Sequence, residues 1–95
     1  MVKYEVMFIV NPELGEEQVQ ALVAKFKALI EANGTIEEFS EWGKRPLKYP
    51  INDVNDGYYA LALFSSEPNF PAELERNFRI TEGILRYLII NKEEK

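Results

Sequence analysis

Ninety-five residues with 46% hydrophobic and 13% aromatic side chains supply one small packed core. The formal net charge of −5 argues against a chain that holds nucleic acid by its overall field. Neither cysteine nor histidine occurs, which removes disulfides, thiolate nucleophiles, imidazole bases and the usual zinc ligands together. A catalyst would have to run on carboxylates, lysine, tyrosine or serine, and Ser40, Ser65 and Ser66 have no neighbouring base to activate them. An enzyme is therefore the weaker expectation. No apolar run approaches the ~20 residues of a membrane helix, and the start, MVKYEV, carries no leader pattern. A cytoplasmic location without membrane attachment is the default.

The first element is KYEVMFIV, Lys3 to Val10, rich in β-branched and aromatic residues and halted by Asn11-Pro12; it reads as a strand. Val19, Leu22, Val23, Phe26, Leu29 and Ile30 then recur at helical spacing. Glu16 and Glu17 suit the positive end of that helix, and Asn33-Gly34 suits its end. TIEEFSEWGKRPLKYPI alternates loosely and reads as a long, bent strand, with Pro46 needing an edge or a bulge. NDVNDG is turn chemistry leading into YYALALF, Tyr58 to Phe64, apolar on both faces and hence a central strand. Asn69 suits the cap of a second helix with Pro71 in its first turn and Leu74 and Phe78 facing inward. ILRYLIIN, Ile84 to Asn91, is the last strand, and residues 92–95 form a short charged tail.

The order is β, α, β, β, α, β over residues 1–95, with no repeat or linker. Right-handed crossovers put both helices on one face of a four-stranded antiparallel sheet, with the first and third strands in the middle. The expected fold class is α+β, ferredoxin-like, and one domain. The other face then carries side chains that are exposed or covered by a partner; Tyr4, Tyr58, Tyr87 and neighbouring aliphatics are the candidates, although tyrosines also sit with the ring packed and the hydroxyl in water.

Positive charge gathers in WGKRPLKYPI, where Lys44, Arg45 and Lys48 fall within five residues without an acid between them. Lysines of an exposed edge strand also serve simply to block unwanted pairing. As a phosphate site, three contacts would give a salt slope of about −2 to −3. Trp42 and Tyr49 flank the cations as candidates to stack on bases or ribose, although a tryptophan is more often a core residue. NDVNDG lacks the acidic spacing of a calcium loop and has Phe64 where the bidentate glutamate belongs. YYALALF lacks the aromatic pattern of an RNA-recognition motif.

Over essentially its whole length the chain resembles the bacterial small-subunit ribosomal protein six family. GKRPLKYPI, Gly43 to Ile51, is similar to that family's signature: Gly, any residue, a basic residue, a polar or charged residue, Leu, Ala or Ser, Tyr, any residue, Ile. Pro46 and Lys48 depart from it, standing at the polar position and the Ala or Ser position. KYEVMFIVNP, with Tyr4 and Glu5, and ILRYLIIN, with Arg86 at the family's basic position, also match. The resemblance implies a ferredoxin-like ribosomal protein of the small subunit that binds the central domain of 16S rRNA as a heterodimer with small-subunit ribosomal protein eighteen. It implies no catalysis, no cofactor, no metal and no small-molecule substrate. Lys44, Arg45 and Lys48, with Lys3 and Arg86, are the candidate RNA contacts. Tyr4, Trp42 and Tyr49 are candidates to pack beside RNA or the partner. Two other functions share the topology: a small-molecule-binding regulatory domain, which needs a concave apolar pocket, and an acylphosphatase-like hydrolase, whose Gly-rich phosphate loop near the end of the first strand is missing here.

Overall fold

Alternation decides the first strand, β1 (Val2–Val10). Tyr4, Val6, Phe8 and Val10 are buried on one face while Lys3, Glu5, Met7 and Ile9 point to the other. The computed structural model describes residues 1–51 and 54–93. Asn52 and Asp53 of the expected turn, and Glu94 and Lys95 of the expected tail, lie outside the described residues. After β1 the Asn11 side-chain oxygen accepts from the Glu13 amide at 2.9 Å, fixing one 3-10 turn at Pro12–Leu14.

The first helix, α1 (Glu16–Asn33), buries Val19, Val23, Phe26 and Ile30 and half-buries Leu22 and Leu29, the stripe its sequence spacing predicts. It ends where Asn33 donates its side-chain amide to the Leu29 carbonyl at 2.9 Å. Gly34 opens β2 (Gly34–Ile51) without a connecting loop. A Cβ there would strike the Ser65 carbonyl oxygen, so only glycine lets the two strands start this close to the helix end.

The remaining elements are β3 (Val54–Ser66), α2 (Phe70–Ile80) and β4 (Ile84–Asn91). The strands form one antiparallel sheet in the order β2-β3-β1-β4, with both apolar strands central and Pro46 on an edge strand as expected. This is the ferredoxin-like βαββαβ arrangement. Asn69 occupies the cap position of α2 and Pro71 its first turn, but the Asn69 side chain makes no capping hydrogen bond.

Beneath the helices the core is aromatic. Phe26 and Phe78 stack at 4.4 Å between centroids, Phe8 lies 5.2 Å from Phe78, and Tyr87 stacks on Phe78 at 5.1 Å. Each such ring, taken from water, contributes about 1.5–3 kcal/mol.

Two expectations are corrected. Val54–Gly57, placed in a turn by their Asx and Gly content, are the start of β3: Asp56 pairs with Pro46 and Gly57 with Arg45, so the hairpin runs on. Tyr4, Tyr58 and Tyr87 do not face the uncovered side. Tyr4 is 7% exposed and 5.7 Å from Phe64 in the core, Tyr87 lies on Phe78, and Tyr58 reaches α1. Register sets this phase: Tyr4 pairs with Phe64 and Phe8 with both Ala60 and Tyr87, all on the helix side.

Candidate nucleic-acid and protein interface

β1 ends at Val10 opposite Tyr58, whereas β2 and β3 continue to the pair Ile51–Val54. The β2–β3 hairpin therefore projects past the rest of the sheet by four residues of β3, about 13 Å at strand rise. Among the described residues it is an arm with no third strand beside it. At its base Gly43 adopts φ +83, next to the register shift between Glu41 and Gly43. That left-handed residue is the kind a bulge requires and it re-aims the strand beyond it. The leading glycine of the GKRPLKYPI stretch thus has a backbone reason.

Lys44 stands at the root of this arm, and Arg45 and Lys48 lie on it. Lys44 pairs with Tyr58 and faces the helix layer, sharing a hollow with Pro12, Glu16 and Gln20. Its ammonium stands 4.0 Å from Asp56, an exposed pair of small energetic weight. Arg45 takes the opposite face, where its Nε donates to the Trp42 carbonyl at 3.1 Å. Lys48 sits 5.7 Å above the neighbouring Tyr49 ring. Among the described residues neither Arg45 nor Lys48 has a carboxylate within ion-pair distance. The three cations thus share one narrow ribbon but not one side of it.

The other two candidate cations divide. Arg86 pairs with Ile9, near the arm's root and on the uncovered face. Lys3 lies at the far end of β1, about 23 Å away by strand rise, and its ammonium is 3.4 Å from Glu37; it is not part of the basic arm. Of the aromatics, Tyr49 is 70% exposed on the arm and Trp42 is 47% exposed, stacked on Tyr59 at 6.3 Å rather than buried in the core. Tyr4 belongs to the core described above.

Residues that the sequence reading covered only as neighbouring aliphatics form the second surface. Met7, Tyr59, Leu61, Leu63 and Leu88 project from the face without helices, joined by Ile90 at the edge; Ile9 points the same way but is only 3% exposed. Leu88 is 51% and Ile90 42% exposed. A contiguous apolar sheet face of this kind marks an interaction site more often than a solvated surface. Strands apolar in both phases were its sequence signal.

At the arm's root, on the helix side of the sheet, a hydrogen-bond chain ties α1 to β3 and β2. The Gln20 side-chain amide donates to the Tyr58 hydroxyl at 3.1 Å, and that hydroxyl donates to Glu41 at 2.6 Å. The hydrogen bond to Glu41, with burial second, holds the Tyr58 phenol above its ordinary value of 10.0.

These features define the class: a ferredoxin-like α+β protein with a cationic hairpin arm and an uncovered aliphatic sheet face. The model of the family described as Ribosomal protein S6 matches residues 3–91. The small ribosomal subunit protein bS6 of Clostridium novyi is 50% identical over 95 residues, covering 99% of this chain and all of that protein. That of Caldanaerobacter subterraneus is likewise 50% identical over 95 residues, with the same coverage. The crystal structure of 30S ribosomal protein S6 from Thermotoga maritima superposes with a TM-score of 0.90 at 32% identity, over 96% of this chain and 87% of that one.

The chain belongs to the ribosomal protein S6 family. It is a structural, non-enzymatic constituent of the small ribosomal subunit, and so of the cytoplasm.

Proposed function

We propose that the chain binds the central domain of 16S rRNA as a heterodimer with small-subunit ribosomal protein eighteen, the arm meeting RNA and the uncovered sheet face meeting protein. The observation that carries this reading is the separation of chemistries: Lys44 level with the last residue of β1, Arg45 and Lys48 on the ribbon beyond it, and aliphatic side chains across the sheet. Sheets that read RNA present aromatic rings from their central strands. Here those positions hold Met7, Ile9, Leu61 and Leu63, with Tyr59 the one ring. Such a surface suits a protein, and a partner that is itself basic offsets the chain's −5 charge near a polyanion. Arg86, at the arm's root, adds a phosphate contact, while Tyr49 and Trp42 pack beside RNA or the partner.

Calorimetric titration of the chain with protein eighteen, with and without a 16S central-domain fragment, tests the division of labour. The expected result is a heterodimer without RNA, insensitive to Lys44→Ala and Arg45→Ala and weakened at least tenfold by Leu61→Asp. A heterodimer lost with the arm cations and indifferent to Leu61 refutes it.

A further inference from the structure

The two edges of the sheet are not alike. Along β2 the outer edge is broken by three register shifts and by Pro46 and Pro50, and it carries Lys44 and Lys48, the devices that keep an edge from pairing with another chain. β4 carries one register shift, at its start between Ile84 and Arg86, and from Arg86 to Asn91 its pairing with β1 is unbroken. Its sequence, ILRYLIIN, contains no proline or lysine, and its one charge, Arg86, projects from the uncovered face. An apolar, β-prone edge without protection is a template for an added strand.

Backbone alternation says which groups that edge offers. The Lys92 amide donates to the Lys3 carbonyl at 2.9 Å, so residues 90, 88 and 86 also turn their backbone toward β1. Tyr87, Ile89 and Asn91 turn theirs outward. The same three residues line a groove of about 400 Å³ whose far wall is Pro71, Ala72 and Glu75 of α2. Leu88 also borders it, so the groove follows the strand's edge rather than one sheet face. Its floor is apolar, and its one charged lining side chain is Glu75. Among the described residues no cation lies within ion-pair distance of that carboxylate.

We propose that the β4 edge, with the groove between β4 and α2, is a docking site for an extended segment of a basic protein partner, which adds as a fifth strand and sets a lysine or arginine against Glu75. Backbone pairing to Tyr87, Ile89 and Asn91 supplies register. Alternate apolar side chains of the segment fill the groove, and the cation fixes which of them lies beside α2. A cation is selected because the groove presents a carboxylate and no basic group. The site is separate from the arm and shares only Leu88 with the uncovered face, so its test is read at Glu75, Tyr87, Ile89 and Asn91 and stands or falls apart from the reading of those two surfaces.

The test uses the full chain labelled with 15N and the blocked heptapeptide Val-Thr-Val-Thr-Lys-Thr-Val, followed by amide chemical shifts. Expected are saturable shifts at Tyr87, Ile89, Asn91 and Glu75, and slowed hydrogen exchange at the three β4 amides. Glu75→Gln, an exposed helical change, weakens binding about two- to fivefold, the range of one exposed ion pair. A peptide N-methylated at alternate residues no longer binds. Equal binding by the N-methylated peptide, or by one with Glu in place of Lys, overturns the proposal. So do shifts confined to the arm or to Met7 and Leu61, or no shift at millimolar peptide. If the same β4 amides shift with chain concentration alone, the edge serves a second copy of this chain and the proposed partner is wrong.

Discussion

Replacing Lys44, Arg45 and Lys48 together by alanine removes the positive charge of the arm while leaving its backbone pairing in place. Each phosphate neutralised contributes about 0.7 to 0.9 to the slope of log affinity against log salt, so three contacts contribute about 2 to 3. Between 50 and 200 mM salt the unmodified chain then loses roughly 20- to 40-fold more affinity than the triple variant. Competing carboxylates subtract little: among the described residues Lys44 reaches only Asp56, at 4.0 Å with both side chains well exposed, and such a pair opens at a cost of about 0–1 kcal/mol. Because Lys44 and Arg45 point to opposite faces of the ribbon, each single variant lowers the slope by its own 0.7 to 0.9. The assay is fluorescence anisotropy of a labelled 16S central-domain fragment, with protein eighteen present, over a salt series. Lys3→Ala is the internal control, since Lys3 sits at the opposite end of β1 on Glu37. A triple variant with unchanged slope, or a Lys3→Ala slope reduced as much as the arm's, refutes the assignment.

Leu88→Asp on the uncovered face changes urea-measured stability by no more than about 0.5 kcal/mol but weakens the protein partner at least tenfold, about 1.4 kcal/mol, in calorimetry. Phe78→Ala empties the centre of the Phe8–Phe26–Tyr87 cluster and costs about 3–5 kcal/mol in urea unfolding. Gly34→Ala forces a methyl against the Ser65 carbonyl and costs about 1–3 kcal/mol, measured the same way. Tyr58→Phe costs about 0.5–1.5 kcal/mol at neutral pH through the lost bond to Glu41. Its pH signature follows from the raised phenol: the stabilisation is whole below pH 10.0, the unfolded value, and disappears as pH climbs through the higher folded value. The alkaline fall in stability, followed by circular dichroism, is therefore shallower in Tyr58→Phe.

Periodicity made α1 readable, because a helix with one apolar stripe fixes its own phase: Val19, Val23, Phe26 and Ile30 face inward as their spacing requires. β1 and β3 gave their existence and central position but not their phase. With Met7, Ile9, Leu61 and Leu63 as apolar as Val6, Phe8, Ala60 and Ala62, only the docking of the helices decides which set is core. The tyrosines were misplaced for that reason. The last four residues of NDVNDG misled because Val54–Gly57, for all their Asx and Gly content, continue a hairpin that the sheet itself does not need. Gly57 is small there because Ile9 and Leu47 occupy the space a side chain would take. The basic island was visible as a charge run, but the arm that isolates it is not local information. It follows from β1 stopping at Val10 while β2 and β3 go on.

The most direct measurement is residue-resolved protection of the chain in the complex of RNA fragment and protein eighteen, read by hydrogen exchange and lysine modification. The account predicts that RNA shields Lys44 and Lys48 and leaves the Met7–Leu61–Leu63 face unchanged, while protein eighteen shields that face. Protection of the sheet face by RNA alone, with Lys44 and Lys48 still reactive, contradicts it.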